Sequence, residues 1–598
     1  VRMSRKVGKY YDADDYDDYY DDYDDYYEDG DYDQYDDYAP PPTQSASKQK
    51  KGSGVAGNNN SSSSKSGGNQ AQGKSKAKSK GKASNGGGAG GGQAQSKASK
   101  EGANVVGSKV KAKGAEGQGS SAPAAVEQPP SATAHDSRSD LSAVLQDLEI
   151  DAQAASPSKP SLMLVVLGHV DAGKSTLMGR LVAELGVVDS KEVRRRAHQA
   201  NQIGKGSFGW AWLMDERPEE RERGVTIDVA KRAFETDNRQ VTILDAPGHR
   251  DFVTNAISGI SQADAAILVI DGSVGGFESG FEKRGKISGQ TREHAQLAKG
   301  IGIEQLAVVI TKLDKSESGA QRFDDIRDKL EPFLKSCGYQ AKSMQWLCAS
   351  GTTGDNIVSK PEQDSKLNWF SGPTVVEAID NFVMVEHNQD KPLRVPAFSV
   401  SSTKQSGGGS VLTTGRVATG CLRVNSPVTV MPGNLETHVK SIVRNNQKGA
   451  KFALAGDAVE LTLGLDDLAC VEIGSVVCSP ADKIKASERL KVKIITLELG
   501  TPFTLGQSLI VHFHAARIQG RITKMLALHD PKSGEETKKK PRLLKSFQTA
   551  TIELTLSETI CVEKYEDYPS LGRLVLRLGG QTVGVGKVTK VYSATKKD

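Results

Sequence analysis

The sequence predicts an α/β domain built on a parallel sheet, followed by two small antiparallel β-barrels and preceded by a disordered amino-terminal tail. Three observations carry this. Between residues 160 and 385 apolar runs alternate with helical patterns; after Lys391-Pro392 the texture switches to short β-rich segments punctuated by Gly and Pro; and the first 135 residues have a composition that cannot build a core.

Of the 15 tyrosines in the 598-residue chain, 11 lie between Tyr10 and Tyr38, interleaved with 14 aspartates and one glutamate. Residues 1–40 hold 4 Lys+Arg against 15 Asp+Glu, a balance of −11, and residues 41–130 hold 14 lysines against 3 glutamates, a balance of +11. The two blocks cancel, so the whole-chain charge of +4 belongs to the remainder. That remainder gives no electrostatic reason for wholesale nucleic-acid binding. Residues 1–40 therefore read as an acidic Asp/Tyr-rich tail, and 41–135 as a Gly/Ser/Lys-rich linker, including Ser61 to Ser64 and Gly86 to Gly92 broken only by Ala89.

No apolar run reaches the roughly 18–20 residues that span a bilayer, and Val-Arg-Met-Ser-Arg-Lys at the start has no apolar stretch behind it, so no secretory signal is expected. Met3 is the expected start of translation. Six cysteines, Cys337, Cys348, Cys421, Cys470, Cys478 and Cys561, show no C-x-x-C or paired spacing, which argues against a disulfide framework or zinc site and for a reducing cytoplasm.

A short amphipathic helix is expected at 139–150, where Leu141, Val144, Leu145 and Leu148 recur at helical spacing behind Ser139 and Asp140; it either packs on the neighbouring domain or binds a partner. Within 160–385, Leu162 to Leu167, Val241 to Leu244, Ala265 to Ile270 and Leu306 to Ile310 are apolar at nearly every position, as strands covered on both faces require. A first barrel is expected over 391–482, with strands such as Ala458 to Leu463 and Ser475 to Cys478 ahead of the Ser479-Pro480 turn. A second is expected over 486–597. There Leu490, Val492 and Ile494 alternate before the pattern shifts phase to Ile495, Leu497 and Leu499, predicting a β-bulge; Ile552, Leu554, Leu556 and Leu574, Leu576, Leu578 continue the barrel. The basic run Lys538-Lys539-Lys540 reads as a barrel loop.

The chemistry begins with Gly168-His169-Val170-Asp171-Ala172-Gly173-Lys174-Ser175-Thr176, which fits G-x-x-x-x-G-K-[ST] after a strand and before the helical stretch Thr176 to Leu185. Glycines let backbone N–H groups wrap phosphate oxygens, Lys174 reaches the β and γ phosphates, and the Ser175 hydroxyl ligates magnesium. Asp245-Ala-Pro247-Gly248-His249 follows a strand, placing Asp245 to hold magnesium through water and the Gly248 N–H to meet the γ phosphate. Arg223-Gly224-Val225-Thr226 offers a threonine hydroxyl for the remaining metal position, on a polar stretch that suits a switch loop. After Leu306 to Ile310 comes Thr311-Lys312-Leu313-Asp314. Its carboxylate accepts from N1–H and the 2-amino group of guanine, which adenine cannot offer, and the Lys312 stem lies along the ring. Ser350-Gly351, after Leu347-Cys348-Ala349, can supply a backbone N–H to guanine O6. The α/β domain thus reads as a P-loop GTPase domain with Mg²⁺ as cofactor and GTP and GDP as substrate and product.

Together these motifs resemble the translational GTPases of the elongation factor 1-alpha group. Gly289-Gln-Thr-Arg-Glu-His294 and Glu220-Arg-Glu-Arg-Gly224 mark the group. Gly534-Glu-Glu-Thr-Lys-Lys-Lys-Pro541, Leu571-Gly-Arg-Leu574 and the Asp/Tyr-rich tail resemble its Pelota-partner ribosome-rescue branch. The resemblance implies that His249 orients the attacking water, that Val170 and Val225 form an apolar gate keeping it turned away until the ribosome triggers it, and that a monomer delivers a Pelota-like protein to stalled or empty ribosomes. Contacts would be with the small subunit, the GTPase centre and rRNA, with no membrane involved. It also implies a departure: Thr311 stands where the group usually has asparagine, which predicts a weaker tie between base loop and phosphate loop, partly replaced by the hydroxyl. The compact helical amino-terminal domain of many relatives is not legible.

Other readings compete. Within the class stand the GTPase partner of the stop-codon release factor and elongation factor 1-alpha itself, carrying aminoacyl-tRNA; the long tail argues against the second. Outside it stand a nucleotide-binding scaffold that no longer hydrolyses GTP, motivated by Thr311, and an RNA-binding role for the lysine-rich linker. Charge arithmetic adds one expectation: the −11 and +11 blocks attract each other at low salt and part when rRNA or a basic protein competes.

Overall fold

The computed structural model describes residues 159–593 except 203, 216, 224, 284–287, 406–407 and 466–470. The acidic tail, the linker, the helix expected at 139–150, Gly224 and Cys470 lie outside the described residues.

Strands β1 (Ser161–Gly168), β2 (Ala230–Glu235), β3 (Gln240–Asp245), β4 (Ala265–Asp271), β5 (Leu306–Thr311) and β6 (Met344–Ala349) form one sheet in the order β2-β3-β1-β4-β5-β6. Each apolar run reads as it does because both faces are covered. Met163, Val165 and Leu167 enter one core cluster, and Leu162, Leu164 and Val166 enter the cluster on the other face. The sheet is mixed rather than wholly parallel: β2 runs antiparallel to β3, pairing Ala230 with Asp245, around a turn closed by Thr236 N–H donating to Arg239 O. Its Ala-Lys-Arg-Ala-Phe-Glu stretch carries charge because it is an edge strand, so no apolar run announced it.

Register places the chemistry. Val166 pairs with Asp245, Gly168 with Val269, Asp271 with Thr311, and Thr311 with Ala349. The carboxyl ends of β1, β3, β5 and β6 therefore line one edge, and the strand order reverses at β1, where open α/β sheets bind ligands.

Two closed six-stranded antiparallel barrels follow. The first joins Arg394–Gln405, Gly408–Arg416, Pro427–Met431, Leu435–Arg444, Ala458–Leu463 and Val476–Cys478; pairing of Pro427–Met431 with Leu435–Arg444 closes it. The second joins Ala486–Thr496, Ser508–Phe513, Ala516–His529, Thr549–Cys561, Arg573–Leu578 and Gln581–Val591, closed by the pairing of Ser508–Phe513 with Ala516–His529. Closure removes the free edges that two small sheets would otherwise present.

Two readings of the second barrel need correction. Alternation holds through Thr496, with Ile494 and Thr496 buried and Ile495 half exposed, and shifts phase only at Leu497, which is buried next to Thr496; the register irregularities lie at Ser487/Arg489 and Lys491/Val492. Ile495 faces outward, so the shift comes two residues later than its hydrophobicity suggests. Lys538 and Lys539 are not in a loop but on an exposed edge strand, Glu536–Lys539, paired with Ala516–His529. Among the described residues Cys337, Cys348, Cys421, Cys478 and Cys561 are free thiols, and no helix is long and apolar enough to cross a membrane.

Candidate functional site

β1 delivers the chain to Gly168, and the loop that follows turns through Asp171 (φ 61°) and Gly173 (φ 87°), a left-handed position that glycine occupies without strain. Gly173 caps α1 (Lys174–Glu184), so the first amides of that helix open toward the cleft. Lys174 is buried, with Nζ donating to His169 O at 3.0 Å. Burial lowers its pKa, opposed by Asp245 and Asp171. At Gly248 a Cβ would lie 2.4 Å from Lys174 Nζ and 3.1 Å from Val170 N, so a side chain here would displace the Lys174 ammonium and crowd the loop.

Asp245 ends β3 fully buried, and neither carboxylate oxygen has a hydrogen-bond partner. Burial pushes its pKa up to about 6 against the opposing pull of the Lys174 ammonium. Ser175 Oγ and Thr226 Oγ1 meet at 3.1 Å although 51 residues separate them. Glu220 fixes the Thr226 loop: its Oε1 accepts from Ile227 N at 2.8 Å and Asp228 N at 3.1 Å, and its Oε2 from Arg217 N at 3.2 Å. Asn255, on the next helix, donates to Ile227 O at 2.8 Å. Asp215 is buried nearby, and burial, Asp245 and Glu220 push its pKa to about 7.

His249 sits at the rim of this cleft with Val170, Val225, Thr226 and Gly248. Its side chain is 44% exposed, and Nδ1 accepts from Asp251 N at 3.3 Å and lies 3.5 Å from Asp251 Oδ2. The ring is therefore turned to its own helical turn rather than held over Lys174.

A neighbouring cleft of about 260 Å³ is lined by Thr311, Lys312, Asp314, Ser350 and Gly351 together with Asp171, Gly173 and Thr176. Thr311 Oγ1 donates to Ala172 O at 2.7 Å and lies 3.1 Å from Ile270 O. The tie between base loop and phosphate loop thus exists through the hydroxyl, which is spent on backbone carbonyls. Lys312 Nζ bonds Asp171 O and, at 2.7 Å, Asp271 Oδ2, laying its stem across the cleft floor. Ser350 N–H is committed to Asp355 O at 3.0 Å, so of the pair Ser350-Gly351 the amide that a guanine O6 needs falls to Gly351.

Several residues of the site carried no readable role. His294 is completely buried and its Nδ1 accepts the Gly168 N–H at 3.2 Å; burial, Lys174 and His169 hold its pKa near 3, so it braces the phosphate loop as a neutral ring. Its motif marked the group, but 126 residues of separation hid the contact. Glu220 was legible only as part of the same kind of marker. Among the described residues no cluster of three or more His, Cys, Asp or Glu is built to hold a metal; the groups that could hold one here are the Ser175 and Thr226 hydroxyls and the Asp245 carboxylate.

Residues 159–385 match the family described as the elongation factor Tu GTP-binding domain, and residues 489–589 match the GTP-eEF1A C-terminal domain-like family. The chain is 40% identical over 433 residues to Protein HBS1 of Drosophila melanogaster, covering 72% of this chain and 63% of that protein. It is 39% identical over 435 residues to elongation factor 1-alpha of Metallosphaera sedula, covering 72% of this chain and 98% of that one. The crystal structure of the S. cerevisiae Ski7 GTPase-like domain bound to GTP shares the fold, with a TM-score of 0.61 at 18% identity over 74% of this chain and 99% of that domain.

Proposed function

The chain belongs to the elongation factor 1-alpha family of translational GTPases, and from that premise we propose that it delivers a Pelota-like decoding factor to stalled or empty ribosomes and hydrolyses GTP there. The observation that carries the branch is the distribution of matched length. The elongation factor 1-alpha relative is covered over 98% of its length, whereas the HBS1 relative, like this chain, has a large part outside the shared region. In this chain the unmatched part includes the charged residues ahead of the GTP-binding domain. The expected setting is cytoplasmic, as a monomer contacting the small subunit, the GTPase centre and rRNA.

The residues suit Mg²⁺. Octahedral ligands at 2.0–2.1 Å stand about 2.9 Å apart, close to the 3.1 Å between Ser175 Oγ and Thr226 Oγ1, and Asp245 offers a buried carboxylate with no other partner. Ser175 and Thr226 would hold the ion directly and Asp245 through water; the ion neutralises charge on the β and γ phosphates. Lys174 and the loop amides from His169 to Ser175 bind the triphosphate. Lys312, Asp314 and Gly351 select guanine. His249 leaves Asp251 and passes the Val170/Val225 gate to orient the attacking water, a positioning step that a docked ribosome can drive by moving few groups. Loss of the γ phosphate releases the Thr226 and Gly248 loops.

GTP turnover with ribosomes and the Pelota-like protein tests the enzyme: His249→Ala should fall about 100-fold or more, and equal rates for variant and wild type would leave a scaffold. Co-purification under a non-hydrolysable GTP analogue but not GDP tests the branch. Recovery of Pelota supports it, while recovery of the release factor or charged tRNA overturns it.

A further inference from the structure

We infer that Phe208 is a nucleotide-contacting residue, closing over the sugar between the phosphate and guanine clefts, and that retention of nucleotide depends on the segment around it staying down. The inference rests on the guanine-nucleotide reading of the two clefts.

The clefts share four wall residues: Asp171, Gly173, Thr176 and Phe208. Three of these belong to the phosphate loop and the start of α1 and form the floor. Phe208 comes from a separate segment of the chain. A nucleotide with its phosphates beside Lys174 and its base beside Asp314 must carry its sugar past this shared wall. A half-buried aromatic ring, with the Lys205 ammonium 6.0 Å from its centre, offers that sugar an apolar face.

The segment is built to hold the ring there. Phe208 ends a 3-10 turn, Gly206–Phe208, and a second turn, Ala211–Leu213, buries Trp212, Leu213 and Met214. At Gly179 of α1 a Cβ would stand 1.9 Å from Trp210 O, so backbone packs directly on the phosphate-loop helix. Arg180 stacks on Trp210 at 4.5 Å and donates to the carbonyls of Thr352 at 3.3 Å and Thr353 at 3.2 Å, which follow Gly351. One side chain thus joins the cover to the guanine loop. The same segment runs on through Asp215 to Glu220, whose carboxylate holds the backbone beside Thr226. Loosening of the Thr226 loop after hydrolysis therefore reaches the cover and lowers the grip on GDP. A ring over a sugar carries no base preference, so guanine selectivity stays with Asp314.

The test uses the full chain and fluorescent GDP and GTP. Phe208→Ala should release both about tenfold faster, Phe208→Tyr should keep wild-type rates, and discrimination against adenine nucleotides should not change in either. Hydrogen exchange of the wild-type chain gives a readout independent of any folding defect: GDP should slow exchange at residues 206–210, and a GTP analogue should slow it further. Unchanged release from Phe208→Ala, or exchange at 206–210 indifferent to nucleotide in a chain that binds it, overturns the inference. A wild-type chain that takes up no guanine nucleotide overturns instead the reading of the clefts on which it rests.

Discussion

Lys174 and Asp245 in the cleft, and Arg394 and Glu563 where the two barrels meet, are charged groups of comparable burial that the protein provides for differently. Arg394 Nη2 lies 3.2 Å from both Glu563 Oε1 and Asp482 Oδ2, its Nη1 donates to Leu393 O and Asp482 O, and Tyr568 stacks on its guanidinium. Lys174 has one carbonyl, and Asp245 has no hydrogen bond. At the junction the chain hydrogen-bonds its own charges; in the cleft Lys174 and Asp245 act on each other through space and leave their hydrogen bonding for a ligand to complete. Buried charge without its hydrogen bonds costs stability, so where it persists, binding is the compensation. The difference marks the site without any appeal to motifs.

The sharpest way to break this contrast is to remove one cation from each region. Arg394→Ala strands Glu563 and should lower stability by about 3–5 kcal/mol in chemical unfolding. Lys174→Met should abolish nucleotide binding while costing less stability, because the Asp245 carboxyl left behind, already raised to about 6, can take up a proton. Equal destabilisation by the two would dissolve the contrast.

A second junction refines it through pH. Burial alone would raise the pKa of Asp264, but Arg416 at 2.6 Å and His387 overcome it and hold the carboxyl at about 2. A folded value below the unfolded one contributes stability that is present above pH 4 and lost as pH falls through 2. About 2 kcal/mol should disappear over that range. Unfolding followed from pH 5 to pH 2 should show this slope in wild type and a flattened or reversed one in Arg416→Gln. The same slope in both would mean that the pair contributes nothing.

The smallest effect belongs to the cleft's one substituted tie. Thr311→Val removes the bond to Ala172 O and should speed GDP release about fivefold, near 1 kcal/mol, whereas Thr311→Asn should not. Unchanged release from Thr311→Val would show that the hydroxyl ties nothing that matters for binding.

Strands buried on both faces and loops whose chemistry sits in consecutive residues were legible: β1, β3, β4 and β5, the turn from Gly168 to Ser175, and the Asp245-to-His249 stretch all declare themselves locally. What stayed hidden was assembled at a distance. His294 reaches Gly168, and Phe208 reaches the sugar wall, through packing that no spacing encodes. The charged edge strand β2 imitates a loop, and Ile495 imitates a core residue, because one side chain's hydrophobicity cannot say which face of a strand it occupies.

Arg394 has a mechanical consequence. Val476 and Cys478 of the first barrel share one buried cluster with Ile484 of the connecting segment and with Cys561 and Leu571 of the second barrel, and Arg394 crosses the same boundary. Two bodies joined through a common interior have no hinge of their own. A displacement that begins at the nucleotide is then expected to carry both barrels together, as a key turns with its bow.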